Sequence, residues 1–140
     1  MADRQAGAVA IGGRAILIEG APGSGKSSLA LALIDRGARL IGDDSILVDV
    51  RGDRLFACPH PHTTGLIEVR NLGLVRMEPL ASAPVCLVIR LDRAAPRYIE
   101  RAEEITIEGV ALPGLAIWPD GANPALKAEL ALRKFGLSLG

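Results

Sequence analysis

The residues Gly20-Ala21-Pro22-Gly23-Ser24-Gly25-Lys26-Ser27 satisfy G-x-x-x-x-G-K-[ST] at every fixed position. That spacing suits the binding of a phosphate chain. Glycines let the main chain wrap closely around anionic oxygens, so that several N–H groups point inward as a nest. A helix opening at Lys26 and Ser27 directs the positive end of its dipole at the same anion. The Lys26 ammonium is then placed for β- and γ-phosphate oxygens, and the Ser27 hydroxyl for Mg²⁺. The expected ligand is ATP with Mg²⁺, held by Gly20, Ala21, Pro22, Gly23, Ser24, Gly25, Lys26, Ser27 and Ser28.

A phosphate loop alone does not separate a kinase from a switch or a motor, so the acids matter. Asp43 and Asp44 close the strand that follows the loop's helix. A right-handed crossover returns that strand parallel to the first, which puts its end at the phosphate edge. Asp92, after the apolar run Val85 to Ile89, has the pattern of a Walker B acid. The residues leave this choice open. An adjacent pair can divide labour, one carboxylate toward the metal and the other as a base toward a hydroxyl. Glu68 interrupts the apolar strand Leu66 to Arg70 and needs a partner, either a neighbour such as Arg70 or a metal. Arg97 and Arg101 are candidate phosphate clamps, but most such arginines are merely surface charges. Cys58, His60 and His62 alternate in a proline-broken segment, a poor arrangement for metal ligation. Cys58 and Cys86 fit no paired metal-ligand spacing and read as reduced thiols.

The elements that must hold these groups are legible in outline. Ala15 to Glu19 reads as a buried strand and Ser27 to Arg36 as a helix, with Leu29, Ala30, Leu33 and Ile34 on one face. Gly37 stands where a left-handed C-terminal cap is wanted. Ser45 to Val50 and Arg54 to Ala57 flank Arg51-Gly52-Asp53 as a hairpin, and Cys58 to His62 reads as loop. Leu66 to Arg70, Pro84 to Leu91, Ile105 to Glu108 and Leu115 to Trp118 are strand candidates. Asn123 and Pro124 open a last helix that runs through Leu126, Leu130 and Arg133 and stops at Gly136. The expected fold is a single α/β domain over residues 1–140, a P-loop nucleotide-binding unit with a mixed sheet.

Composition agrees. Hydrophobic residues form 49% of the chain, yet there are only one Trp, one Tyr and two Phe, so the core must be aliphatic. That bias suits a sheet buried between helices. Sixteen basic residues balance sixteen acidic ones, which gives no reason to expect nucleic acid or an anionic membrane as partner. No apolar run reaches the length of a membrane span, and the N-terminus lacks the order of a signal peptide, so a cytoplasmic protein is expected.

The phosphate loop, the segment Arg36-Gly37-Ala38-Arg39-Leu40-Ile41-Gly42-Asp43-Asp44 and the strand Leu66-Ile67-Glu68-Val69-Arg70-Asn71-Leu72-Gly73 together resemble the catalytic domain of HPr kinase/phosphorylase. The likeness covers about residues 5 to 133, as in short bacterial forms without the N-terminal regulatory domain. It implies a nucleotide fold related to phosphoenolpyruvate carboxykinase, and an ATP- and Mg²⁺-dependent protein-serine kinase whose partner is the phosphocarrier protein HPr. It also implies reverse phosphorolysis and assembly into homo-oligomers. By the same resemblance Lys26 holds phosphates, Ser27 and Glu68 serve Mg²⁺, and Asp44, beside Asp43, is the base toward the serine hydroxyl. Arg70 lies in the signature strand, and Arg97 falls near the family's later catalytic arginine.

Three departures weigh on the phosphorolysis half. Gln5 stands where the family has a histidine, and glutamine neither relays a proton nor carries charge. Asn71 replaces the usual glycine, and Pro119 to Asn123 is shorter and less basic than the family's loop for inorganic phosphate. Two other readings compete: a small-molecule P-loop kinase, against which stands the lack of an arginine-rich lid, and an ATP-binding sensor that has lost catalysis.

Overall fold

The run Ala15 to Ile18 is apolar on both faces of a strand and forms the middle of the molecule. In the computed structural model, which describes residues 1–139, it belongs to β3 (Arg14–Gly20). β2 (Gly7–Ile11) pairs antiparallel with β3, and β9 (Ala83–Leu91) pairs parallel with it. β4 (Arg39–Gly42) adds antiparallel to β2. β9 gives its first residues to β6 (Arg54–Pro59) and its last to β11 (Val110–Ile117). β5 (Ile46–Arg51) and β1 (Ala2–Arg4) extend the β6 side, while β10 (Glu103–Ile107) pairs with β11. Nine strands thus make one mixed sheet, and β7 (Leu66–Val69) with β8 (Gly73–Arg76) forms a separate hairpin. The mixed α/β class expected from the sequence is the one observed.

Alternation along β3 divides the core in two. Ile16 and Ile18 pack toward α1 (Lys26–Asp35) and α2 (Pro124–Phe135), with Leu29, Leu33, Ala128 and Leu132. Ala15 and Leu17 pack the other way, among Ile41, Ile46, Leu55 and Leu112. Ile16, Ile18 and Leu33 are fully buried, and each such side chain stabilises the fold by about 1.5–3 kcal/mol. The sheet is therefore not sandwiched between helices. Both helices cover one face, and strands cover the other, where the buried alanines Ala8, Ala15 and Ala57 contribute small side chains to the packing.

α1 begins and ends one residue before the expected bounds. The Gly37 N–H bonds to the Ile34 carbonyl and the Ala38 N–H to that of Leu33, both at 3.0 Å, which closes the helix as a Schellman motif. α2 starts at Pro124 as expected, but Asn123 does not cap it through its side chain; it sits at φ 56 with no such bond. Its buried stripe is Ala125, Ala128, Ala131 and Leu132, leaving Leu126 and Leu130 exposed. The Arg51-Gly52-Asp53 hairpin forms as expected.

Other boundaries differ from expectation. Cys58 and Pro59 belong to β6 rather than to a loop; Pro59 is its last residue, a place where the missing N–H is tolerated. β10 and β11 turn about Glu108 and Gly109, so both are longer than their sequence signals. Strands β1, β2 and β8 are additional. The β2–β3 turn is Gly12-Gly13, both at positive φ, a two-residue hairpin signal present in the sequence. Because β2 inserts between β3 and β4, β4 runs parallel to β3 without touching it.

Candidate active site

The end of β3, the start of α1, the end of β4 and the hairpin β7–β8 meet around a cleft of about 240 Å³. Gly25, at φ 105, precedes α1 and takes a conformation that a Cβ disfavours. This lets the loop turn directly into the helix. Lys26 follows, with only 9% of its side chain exposed. Its ammonium donates to the Gly20 carbonyl at 2.9 Å and lies 3.3 Å from Asp44 Oδ1. Lys26 lines the cleft, where Pro22, Gly23, Ser27 and Ser28 form the phosphate-loop wall. Gly20 and Ala21 instead border an adjoining groove.

The two aspartates are differently employed. Asp43 accepts the Ser27 hydroxyl at 2.7 Å through Oδ1 and the Glu68 N–H at 2.8 Å through Oδ2. It therefore ties the first turn of α1 to β7. Asp44 projects beside Lys26 with 58% of its side chain exposed. It sits at φ 65, a left-handed conformation that Asp tolerates better than most residues. The turn is tight: a Cβ on Gly42 would lie 2.9 Å from the Ser45 carbonyl oxygen. A left-handed residue held this way marks a site where the surroundings fix the geometry.

Glu68 and Arg70 line the opposite wall, and Gln5 also borders the cleft. Asn71 occupies the β7–β8 turn at φ 73, and asparagine accepts this conformation where glycine would otherwise be used. Its departure from the family pattern leaves the turn intact. Asp92 accepts the Ala94 N–H at 2.8 Å and borders the adjoining groove, not the cleft. Of the two candidate acids, it is Asp44 that meets Lys26. Arg97 is exposed, its guanidinium stacked over Tyr98 at 5.6 Å, in a groove against α2. The structure does not bring it to the phosphate loop within one chain. Arg101 and Pro119 to Asn123 also lie off the cleft.

The residues present fit a magnesium nucleotide. Ser24 Oγ, in the loop, is buried without a hydrogen-bond partner, an orphaned polar atom of the kind a bound anion or water would satisfy. Ser27 and Glu68 supply hard oxygen donors. Among the described residues no three His, Cys, Asp or Glu side chains gather closely enough to hold a metal alone. Mg²⁺ keeps several waters and takes substrate phosphates as ligands, so it needs few side-chain donors. Elsewhere, His60 Nε2 lies 3.4 Å from Asp3 Oδ1, and its Nδ1 accepts the His62 N–H at 3.2 Å. Burial pushes the Cys58 thiol up, against the pull of the Arg51 cation, so it is poorly disposed to bind as thiolate.

Two contributions to the site escape any reading of residue types, because they are main-chain atoms: the Gly20 carbonyl under Lys26 and the Glu68 N–H on Asp43. Only the folded backbone brings them there.

Residues 3–113 match the family described as HPr Serine kinase C-terminal domain. The HPr kinase/phosphorylase of Limosilactobacillus reuteri (strain DSM 20016) is 31% identical over 141 residues, a match covering 91% of this chain and 44% of that protein. That of Streptococcus pneumoniae (strain Hungary19A-6) is 32% identical over 137 residues, covering 88% and 44%. The chain thus spans less than half the length of these curated relatives. Among solved structures, the Hpr(Ser) kinase/phosphatase from Coxiella burnetii superposes with a TM-score of 0.85 over 95% of this chain and 89% of that one. At 24% identity that likeness speaks for the fold. No helix among the described residues is long and apolar enough to cross a membrane.

Proposed function

Because the chain belongs to the HPr serine kinase C-terminal domain family, we propose that it is an ATP- and Mg²⁺-dependent protein-serine kinase acting on the phosphocarrier protein HPr. The observation that carries this reading is the 3.3 Å approach of Asp44 to Lys26 at the mouth of the phosphate loop. A solvent-reachable carboxylate beside the cation that would hold the transferred group supports reading Asp44 as the base. A switch protein has no need of such a base.

When bound, Mg²⁺–ATP supplies the phosphoryl group and leaves as ADP. Lys26 exchanges its contact with Asp44 for phosphate oxygens, and the loop N–H groups share their charge. Ser27 and Glu68 would hold the cation, and Asp43 accepts the Ser27 hydroxyl. Asp44 orients the acceptor serine and takes its proton as the oxygen bonds to phosphorus. Little covalent chemistry falls to the protein, and positioning with charge neutralisation supplies the rate. Gln5 borders the same cleft and offers no titratable proton, so the reverse phosphorolysis is the weaker direction. A cytoplasmic setting and assembly into a homo-oligomer belong to the same reading, carried over from the family resemblance alone.

The test is transfer of labelled γ-phosphate from ATP to a serine of cognate HPr by the intact chain, located by mass spectrometry. Absence of transfer from a preparation that binds ATP would refute the assignment. Turnover that appears only with a small metabolite would replace it with a small-molecule kinase.

A further inference from the structure

Aromatic residues are scarce in this chain, yet three of the four, Tyr98, Trp118 and Phe135, line a single groove. The groove holds about 400 Å³ and shares no residue with the phosphate-loop cleft. Leu115 and Ile117, at the end of β11, are buried beneath it. One wall is α2, whose Lys127, Leu130, Ala131 and Lys134 fall at i, i+3, i+4 and i+7 and so share a face. The other wall runs from Pro96 to Ile99 and is anchored where Ile99 packs on the core. Trp118 Nε1 donates to the Ala95 carbonyl at 2.7 Å, which holds the indole in one orientation.

The charges here are one-sided. Arg97, Lys127 and Lys134 line the groove and, among the described residues, no Asp or Glu does, although charges balance over the whole chain. Lys127 and Lys134 are the only lysines besides Lys26. None of the three groove cations takes part in an ion pair among the described residues. Each lies over an aromatic ring instead: Arg97 over Tyr98 at 5.6 Å, Lys127 over Trp118 at 5.4 Å and Lys134 over Phe135 at 5.2 Å. A cation resting on a ring keeps its charge and can still meet an anion. Leu130, between the two lysines, is 47% exposed, so the apolar wall is open to an occupant as well. An apolar hollow of this size with a few polar groups is the usual form of a small-molecule site. The complement of an apolar floor with an unneutralised cationic rim is an apolar molecule bearing negative charge. We propose that this groove binds an amphipathic organic anion, an apolar body carrying a carboxylate or phosphate. The body lies on Leu115, Ile117 and Leu130, and the acidic group meets Lys127 or Lys134. This is a second site, separate from the phosphate loop and independent of the kinase reading.

Trp118 is the only tryptophan, so its fluorescence reports on the groove without a label. The intact chain is titrated with decanoate and decyl phosphate below their micelle concentrations, with decanol as the neutral body and acetate as the bare charge. The expected result is a saturable change in Trp118 emission with decanoate or decyl phosphate, the stronger of the two identifying the head group. Its Kd should lie at least about tenfold below those for decanol and acetate, and saturating Mg²⁺–ATP should leave it unchanged. Lys127→Gln/Lys134→Gln should raise the Kd about tenfold or more, and Leu130→Glu, which sets a carboxylate in the groove, should abolish binding. Arg133→Gln, the same loss of charge on the same helix but off the groove, should match wild type. Circular dichroism verifies that each variant is folded, and the wild-type comparisons need no variant. The proposal is overturned by no saturable response to either anion, by equal affinity for decanol, or by competition from ATP. It is equally overturned by an unchanged Kd in the folded groove variants, by a response to anionic phospholipid vesicles alone, or by a self-association of wild type that accounts for the emission change.

Discussion

Asp44→Asn removes one negative oxygen and keeps the shape of the side chain, so it isolates the base from the fold. The lost attraction to Lys26, at 3.3 Å, is about 1 kcal/mol in a water-like medium and about 5 kcal/mol at an effective dielectric of 20. Because Asp44 is 58% exposed, solvent screening places the effect at the lower end, about 1 kcal/mol or less. Lys26 also keeps its bond to the Gly20 carbonyl. The variant should therefore fold and show a Tm close to that of wild type. Its affinity for nucleotide should be equal or higher, since an anion beside the phosphates has been removed. Loss of a general base lowers kcat by about 10²- to 10⁴-fold, or about 2.7–5.4 kcal/mol in the barrier. The assay is initial-rate transfer to HPr at saturating ATP, paired with the ATP-induced Tm shift. A kcat within about threefold of wild type, in a variant that still binds ATP, refutes Asp44 as the base.

Lys26→Ala should abolish stabilisation by nucleotide: ATP at a hundred times the wild-type Kd raises wild-type stability by about 2.7 kcal/mol, and thermal unfolding of the variant should show no such response. Ile67→Ala empties a fully buried site beneath β7 and should cost about 2–5 kcal/mol, read as a lower urea midpoint. It should weaken transfer as well, because the Glu68 N–H that anchors Asp43 moves with the strand. The Arg36–Glu129 pair joins α1 to α2, and the hydrogen bond from Arg36 holds the Glu129 carboxyl below its ordinary value of 4.5. Its contribution is complete above that value and is lost as pH falls through the depressed one. The Tm of wild type should accordingly fall more steeply than that of Glu129→Gln below pH 4.5, as followed by circular dichroism.

Much of the site was written in local sequence because its parts are local. A glycine at positive φ ahead of Lys26, and an apolar run before it, specify strand, loop and helix within a short span, with no help from distant residues. The same holds for Pro124 at the start of α2 and for the hairpin about Gly52. Even β2, missed by periodicity because its small apolar residues do not alternate with polar ones, was announced by Gly12-Gly13. The choice between Asp44 and Asp92 was not of this kind. Both follow strands and both could end at a phosphate edge. Which one meets Lys26 depends on the sheet order.

The sequence by itself determined that a phosphate loop would form and which side chains could serve it. Chain geometry near Gly25 and the burial of Ala15 to Ile18 leave few alternatives. Tertiary structure alone decided how those side chains are shared out. Asp43 was drawn to Ser27 and the Glu68 main chain, Asp44 was left facing Lys26, and Arg97 was carried to the α2 groove. The physical reason is that these assignments rest on main-chain atoms and strand register far apart in sequence. A carboxylate bonds to whichever donor the packed backbone presents, and residue types do not encode that position.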